Sequence, residues 1–416
     1  MAPHGTARSS SPGEGPAHSS PPTKEPAAPV EGPTRRLTAL LTGAMAFSML
    51  QLFLLGALGP RLLADLDVSP TVLGLTTTVG FGTAALLSPV GGRIVDRIGP
   101  RRSLVALLLV ASLALALIGT APGPALLLGA VALGGVPQAL ANPATNKAIL
   151  AAVVPERRGT VTGAKQSGVQ LGAFAAGLPL AALAAGPGWR AAVWTAAGAA
   201  LVTAVLAHRA LPADPLRTGR PVPPLGPPRG MTAWLCVYSL FLGAGIASVN
   251  TYLALYGARA LGLGATVAAA LVAVLGITGI AGRVGWSRAA RPGRAERLPA
   301  LLACGALVAA CLLAAARWAG PLVWVGAAAV GVFAVSANAV SMVLVMQRTA
   351  PDRAGQDSAL VAAGFFAGFA LGPPGFAPLA EADRYGTGWL LVAAEFAVAG
   401  AVAYAWSRRD VRGSGL

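Results

Sequence analysis

The chain has 416 residues, 55% of them hydrophobic and 11% charged, with a mean hydropathy of +0.67 and a formal net charge of +16. A water-soluble domain usually carries about 25% charged residues, so this composition excludes an ordinary soluble enzyme or binding module. The positive charge does not mark a nucleic-acid binder either, because the basic residues stand singly or in short groups between long apolar runs.

Residues 1–34 are rich in Pro, Ser and Gly and read as a disordered tail. The first apolar run starts only near Leu37 and is too long for a cleavable signal peptide. A bilayer's hydrocarbon core is about 30 Å thick and needs about 20 helical residues. Uncharged runs of that order fall near Leu37–Leu58, Thr71–Gly91, Ser103–Pro122, Pro124–Leu150, Thr160–Gly186 and Ala191–His208. Six more fall near Met231–Tyr256, Gly262–Ala281, Leu298–Ala316, Trp318–Gln347, Ser358–Ala380 and Tyr385–Trp406. The runs are continuous rather than alternating and far longer than a barrel strand, so the fold class is all-α and integral to the membrane.

Between the sixth and seventh runs, residues 210–230 hold Pro212, Pro215, Pro221, Pro223, Pro224, Pro227 and Pro228. Such a density of proline cannot continue a helix. It reads as a linker between a six-span bundle over 35–209 and another over 231–409, followed by a short tail at 410–416. With twelve spans, one side of the membrane holds both tails and the linker; it carries 24 Lys and Arg residues against five on the other (Arg61, Arg190, Arg259, Arg317 and Arg384). That asymmetry predicts cytoplasmic termini.

The two halves align at an offset of 196 residues: Gly135 on Gly331, Asn142 on Asn338, Pro155 on Pro351, Arg157 on Arg353, Gly159 on Gly355, Gly168 on Gly364 and Gly172 on Gly368. A two-fold repeat of six-helix bundles is how many carriers build alternating access around a central site.

The loop after the second span reads Gly92-Arg93-Ile94-Val95-Asp96-Arg97-Ile98-Gly99-Pro100-Arg101-Arg102. It closely resembles the signature of the major facilitator superfamily, and the helix count, loop charges and repeat extend the resemblance over residues 35–409. The resemblance implies a transporter of bacterial twelve-helix type in the plasma membrane, acting as a monomer. It implies a conformational latch at Gly92, Arg93, Asp96, Arg97, Gly99 and Arg101, with Asp96 facing the positive N-terminal end of the eleventh helix near Gly355–Ser358. The second copy, Gly282-Arg283-Val284-Gly285-Trp286, has Trp286 where the Asp is expected, so the latch is expected to be one-sided.

Charge buried at membrane depth is costly and usually functional. Lys147 and Lys165 lie inside the fourth and fifth spans, either facing a cavity or snorkelling to the surface. Gln138, Asn142, Asn146, Gln166 and Gln170 would add hydrogen bonds suited to an anionic substrate. By the resemblance, helices 1, 4, 7 and 10 line the route, which adds Asn250, Tyr252, Tyr256 and Asn338; the alternative is that these polar groups glue helices together. Glu395 is the one carboxylate near the middle of a span and a candidate for proton coupling, against the alternative of a packing residue.

Cys236, Cys304 and Cys311 have no metal-ligand spacing, and His4, His18 and His208 suggest neither zinc nor a catalytic base. With no nucleotide-binding signature, no cofactor, no metal and no enzyme activity are expected. The expected partners are a small organic solute, anionic in the leading reading, the lipid bilayer, and protons as candidate coupling ion. A proton-coupled drug or metabolite exporter and a transporter-like sensor without flux are the competing readings.

Overall fold

The computed structural model describes residues 32–211, 213–214, 227–290, 296–349 and 354–413. Most of the proline-rich tail and linker, and the loop Pro351-Asp352-Arg353, therefore lie outside the described residues. Twelve helices are long and apolar enough to cross a membrane. They are α1 (Gly32–Leu66), α2 (Pro70–Ile98), α3 (Pro100–Thr120), α4 (Pro124–Ala152), α5 (155–185) and α6 (Trp189–Ala210) in the first half. The second half holds α7 (Gly230–Arg259), α8 (Ala265–Ala289), α9 (Leu298–Ala315), α10 (322–348), α11 (Ala354–Glu381) and α12 (Tyr385–Gly413). The described residues contain no strand.

Several helices outrun the uncharged stretches of sequence. Helix α1 begins at Gly32 and continues past Pro60 and Arg61 to Leu66. Arg61 need not end the helix, because its guanidinium donates to the Ala181 carbonyl at 3.1 Å and to Thr266 Oγ1 at 2.8 Å. Helix α12 runs on to Gly413, into the stretch expected to be tail. Helices α5 and α10 each contain one wider turn, at Ala176–Leu180 and Gly331–Val335. Pro179 explains the first: it has no N–H to give, and the wider turn re-pairs the backbone around it.

The repeat is visible in the packing. Lipid gives no hydrophobic drive for helices to associate, so close approach depends on small residues. In the first half, α5 lies on α1, with Gly168 against the Thr42 carbonyl and Gly172 against that of Ala46. In the second half, α11 lies on α7, with Gly364 against the Cys236 carbonyl and Gly368 against that of Leu240. Gly135 likewise seats α4 on α2 at the Gly80 carbonyl, and Gly331 seats α10 on α8 at that of Leu275. The glycines matched by the sequence offset thus perform matched dockings.

Between the halves, α2 packs on α11, α1 on α7 and α5 on α8, whereas α4 and α10 do not pack on each other.

Candidate functional site

The described chain starts, at Gly32, and ends, at Gly413, at one end of the bundle, and the signature segment lies there. Helix α2 stays helical through Ile98; Gly99, at φ +89°, then makes the turn into α3. Arg93, Asp96 and Arg97 are exposed, and a side chain at Gly92 would meet open space. The Asp96 carboxylate accepts a hydrogen bond from Lys147 Nζ at 2.7 Å, a partly exposed ion pair between α2 and α4. Lys147, expected either in a cavity or at the surface, is therefore tied to the signature segment. The expected partner of Asp96 at the start of α11 includes residues 354–356, whose side chains are not described.

Asp214, at the start of the linker, adds a contact that sequence reasoning missed. Its two carboxylate oxygens accept from the backbone N–H groups of Arg101 (2.8 Å) and Arg102 (3.0 Å). These are among the free donors of the first turn of α3, where a negative charge is favoured. Any Cβ on Gly99 would run into that carboxylate, so glycine serves both the positive φ and the close approach. Arg101 also donates through Nη2 to the His208 carbonyl. No local pattern marked Asp214, since its partner is 113 residues away in sequence.

Deeper in the first half, Lys165 is completely buried. Its ammonium donates to Thr145 Oγ1 and Asn146 Oδ1, both at 2.6 Å. Gln166 Nε2 donates to Asn142 Oδ1 at 3.1 Å. The four residues Lys165, Asn146, Gln166 and Asn142 thus form one group joining α4 to α5, with Thr145 as a member the sequence did not single out. Among the described residues no carboxylate pairs with Lys165. Its Nζ is buried against neutral oxygens alone among the described residues, while Asn142 and Gln166 are half-buried and Asn146 is exposed.

Arg283, counted as a loop residue in the sequence, lies inside the membrane-crossing part of α8. It donates through Nη1 to the Gln166 carbonyl at 3.3 Å, so a cation from the second half reaches the turn of α5 that carries Lys165. Gly276 and Gly279 of α8 allow the approach, against Phe174 and Gln170. The uncharged-run criterion ends the span at Ala281 and so could not see Arg283 as part of it.

The remaining candidates are dispersed. Gln138 is buried towards α1 and α2, its side-chain nitrogen and oxygen unpartnered among the described residues, beside a small void of about 10 Å³ lined also by Gln51, Thr76 and Thr77. Asn250 donates to the Ile246 carbonyl of its own helix. Asn338 is half-buried with Oδ1 unpartnered among the described residues, and Glu395 is half-buried with Oε2 likewise unpartnered among them. Tyr252 belongs to a seal at the end remote from the termini: its hydroxyl lies 3.2 Å from both the Pro70 and Pro373 carbonyl oxygens. Thr77 bonds Thr251 at 2.9 Å, and the Phe81 ring lies 4.5 Å from that of Phe369. Gly56 meets the Asn250 carbonyl, and Gly177 meets Ala273. The seam between the halves is closed at this far end.

Two six-helix bundles joined in pseudo-repeat, closed at one end of their seam and holding the buried Lys165 beside it, define the fold of a membrane carrier. The family model of the Major Facilitator Superfamily matches residues 40–373, and the chain belongs to that superfamily. It is similar in structure to a bacterial homologue of the human lysosomal transporter Spinster, in an inward-facing unoccupied form, with a TM-score of 0.72, 16% identity, and coverage of 91% of this chain and 98% of that one. The occupied form of the same homologue gives 0.73 at 16% identity, covering 90% and 96%. A variant of the nucleoside transporter NupG gives 0.71 at 12% identity, covering 89% and 99%. No curated protein sequence matches the chain. The protein is a multi-pass membrane protein of a transporter family.

Proposed function

We propose that the chain is a secondary carrier for a small organic anion, moved by rocking the two bundles about the α4–α5 polar group, in a bacterial plasma membrane with both termini cytoplasmic. One observation carries the reading: Lys165 is fully buried, with Thr145 and Asn146 as its acceptors among the described residues. A buried charge without an opposite charge is costly, and an anionic solute reaching the exposed Asn146 side would offset that cost. Asn142, Asn146 and Gln166 would orient the solute. The charge asymmetry of the loops supports the orientation.

Counterflow in proteoliposomes over a panel of anionic, neutral and cationic solutes tests the reading. An accepted anion should lose at least tenfold of its uptake in Lys165→Ala and keep part of it in Lys165→Arg. Unchanged anion transport in Lys165→Ala, in protein of normal yield, would sink it. Proton coupling is a second reading with its own support, the unpartnered Oε2 of Glu395.

A further inference from the structure

The second half holds a cavity that the carrier reading leaves unused. It opens at the end remote from the termini, has a volume of about 510 Å³, and is lined by Tyr256, Arg259, Ala260, Arg317, Asp383, Tyr385 and Gly386. Four segments build it: the last turn of α7, the connection from α9 to α10, the connection from α11 to α12, which carries Asp383, and the first turn of α12. Pockets that hold small ligands are of this size, about 300–1,000 Å³.

Five basic residues lie at that end, and the structure divides them. Arg61 is bonded to Ala181 and Thr266, and Arg190 to Asp65. Arg384 is exposed beside α12, outside the cavity lining. Arg259 and Arg317 line the cavity, and neither forms an ion pair among the described residues. The Arg317 side chain lies 3.8 Å from where a Cβ on Gly386 would stand, over the N-terminal turn of the 29-residue helix α12. The free backbone N–H groups and the positive dipole end of that turn add to the attraction for an anion.

An independent observation points the same way. Tyr385 is 2% exposed and lines the cavity, and its hydroxyl has no hydrogen-bond partner among the described residues. Arg259 approaches that hydroxyl without reaching bonding geometry. The neighbouring Tyr256 hydroxyl, by contrast, is spent on the Leu313 carbonyl at 3.0 Å. Buried hydroxyls nearly always find a partner, so this hydroxyl beside two guanidinium groups that form no ion pair among the described residues marks a place for an acceptor. The rings of Tyr256 and Tyr385, 5.5 Å apart, provide an apolar wall. Two guanidinium charges less the Asp383 carboxylate leave one positive charge, matched to a single oxyanion.

We propose that this cavity binds an oxyanion group, a phosphate ester or carboxylate, held by Arg259 and Arg317 with the Tyr385 hydroxyl donating to it. The site is separate from the Lys165 group and stands whether or not that group binds substrate. A soluble oxyanion and the headgroup of an anionic lipid share this chemistry, and the experiment separates them.

The full-length protein in neutral detergent is titrated by calorimetry with inorganic phosphate and, separately, with dioctanoyl phosphatidylglycerol. Saturable binding of either probe is expected, weakened at least tenfold in Arg259→Gln/Arg317→Gln and several-fold in Tyr385→Phe, while Arg384→Gln, outside the lining, binds like wild type. Binding of phosphate identifies a soluble source; binding of the lipid alone identifies a headgroup. Absence of binding for both probes overturns the proposal, as does binding that the double arginine variant leaves unchanged. Should the double variant fail to fold, Tyr385→Phe, which removes one oxygen, decides: unchanged affinity there overturns the proposal as well.

Discussion

Gly168 and Gly364 stand at equivalent places in the two halves, each where an added Cβ would collide with a backbone carbonyl of the neighbouring helix, Thr42 in one case and Cys236 in the other. Backbone cannot give way as a flexible side chain can. A methyl group at either position therefore has to move a whole helix, whereas Gly163, one turn earlier on α5, has open space around it.

Replacing Gly168 or Gly364 by Val should destabilise the protein by about 1–3 kcal/mol or more, the range for overpacking a close contact. Gly163→Ala should leave stability unchanged or raise it by up to about 1 kcal/mol, since Ala is the better helix former. Thermal unfolding of the purified variants in one detergent measures the contrast. Equal melting temperatures for Gly168→Val and Gly163→Ala would show that α5 and α1 are not held at this distance.

Asp96 and Lys147 form a partly exposed pair, with side-chain exposures of 50% and 36%. Such pairs contribute about 0–1 kcal/mol, so Asp96→Asn should scarcely change the melting temperature. Its expected effect is on the distribution between conformations, because the pair joins α2 to α4 at the end where the halves must separate. Transport should fall in Asp96→Asn and in Lys147→Asp, and recover in part in Asp96→Lys/Lys147→Asp. A double exchange no better than the singles would show that the two residues act separately.

Much of the fold was legible because lipid imposes coarse rules. Twelve uncharged runs, the offset glycines and the signature before Pro100 all follow from chemistry local to each segment. What was not legible depended on where helices meet. Arg61 and Arg283 looked like loop cations because charge ordinarily ends a span; in the fold, Arg61 donates to Ala181 and Thr266, and Arg283 to the Gln166 carbonyl. Lys147 and Lys165 looked alike in sequence, yet on α4 Asn146 meets Lys165 while the very next residue, Lys147, rotated about 100° round the helix, meets Asp96. Asp214 and Tyr385 were silent, since a cap from a linker and an orphan hydroxyl exist only in three dimensions.

Glu296, between α8 and α9, accepts a hydrogen bond from Arg348 Nη2 at 2.7 Å, and that bond is the main reason its carboxyl titrates below the ordinary glutamate value. A carboxylate with a depressed pKa stabilises the fold above its unfolded pKa of about 4.3, and the contribution is lost as pH falls through the folded value. Glu296→Gln should therefore lower the melting temperature at pH 7, by less than about 1 kcal/mol in stability because Arg348 is exposed to solvent. The difference from wild type should shrink as pH drops below about 4. A difference that grows on acidification would reverse the sign and contradict the pairing.

The far-end seal offers a test of rocking itself. The Tyr252 hydroxyl lies between the Pro70 carbonyl of one half and the Pro373 carbonyl of the other. Only one proton is available to two acceptors, so Tyr252→Phe should remove about 0.5–1.5 kcal/mol from the closed arrangement. A cost of 1.4 kcal/mol changes a two-state ratio about tenfold, provided the open arrangement does not use the same bond. A cysteine at Thr76, buried beside this seal, reports the change in a background without Cys236, Cys304 and Cys311. Its labelling by a membrane-impermeant reagent from the side remote from the termini should rise several-fold in Tyr252→Phe, with little loss of melting temperature. Labelling that rises only together with general unfolding would mean that the hydroxyl holds the fold rather than the closed state. Labelling that never changes would mean that the aromatic contacts around Phe81 and Phe369 seal the end without it.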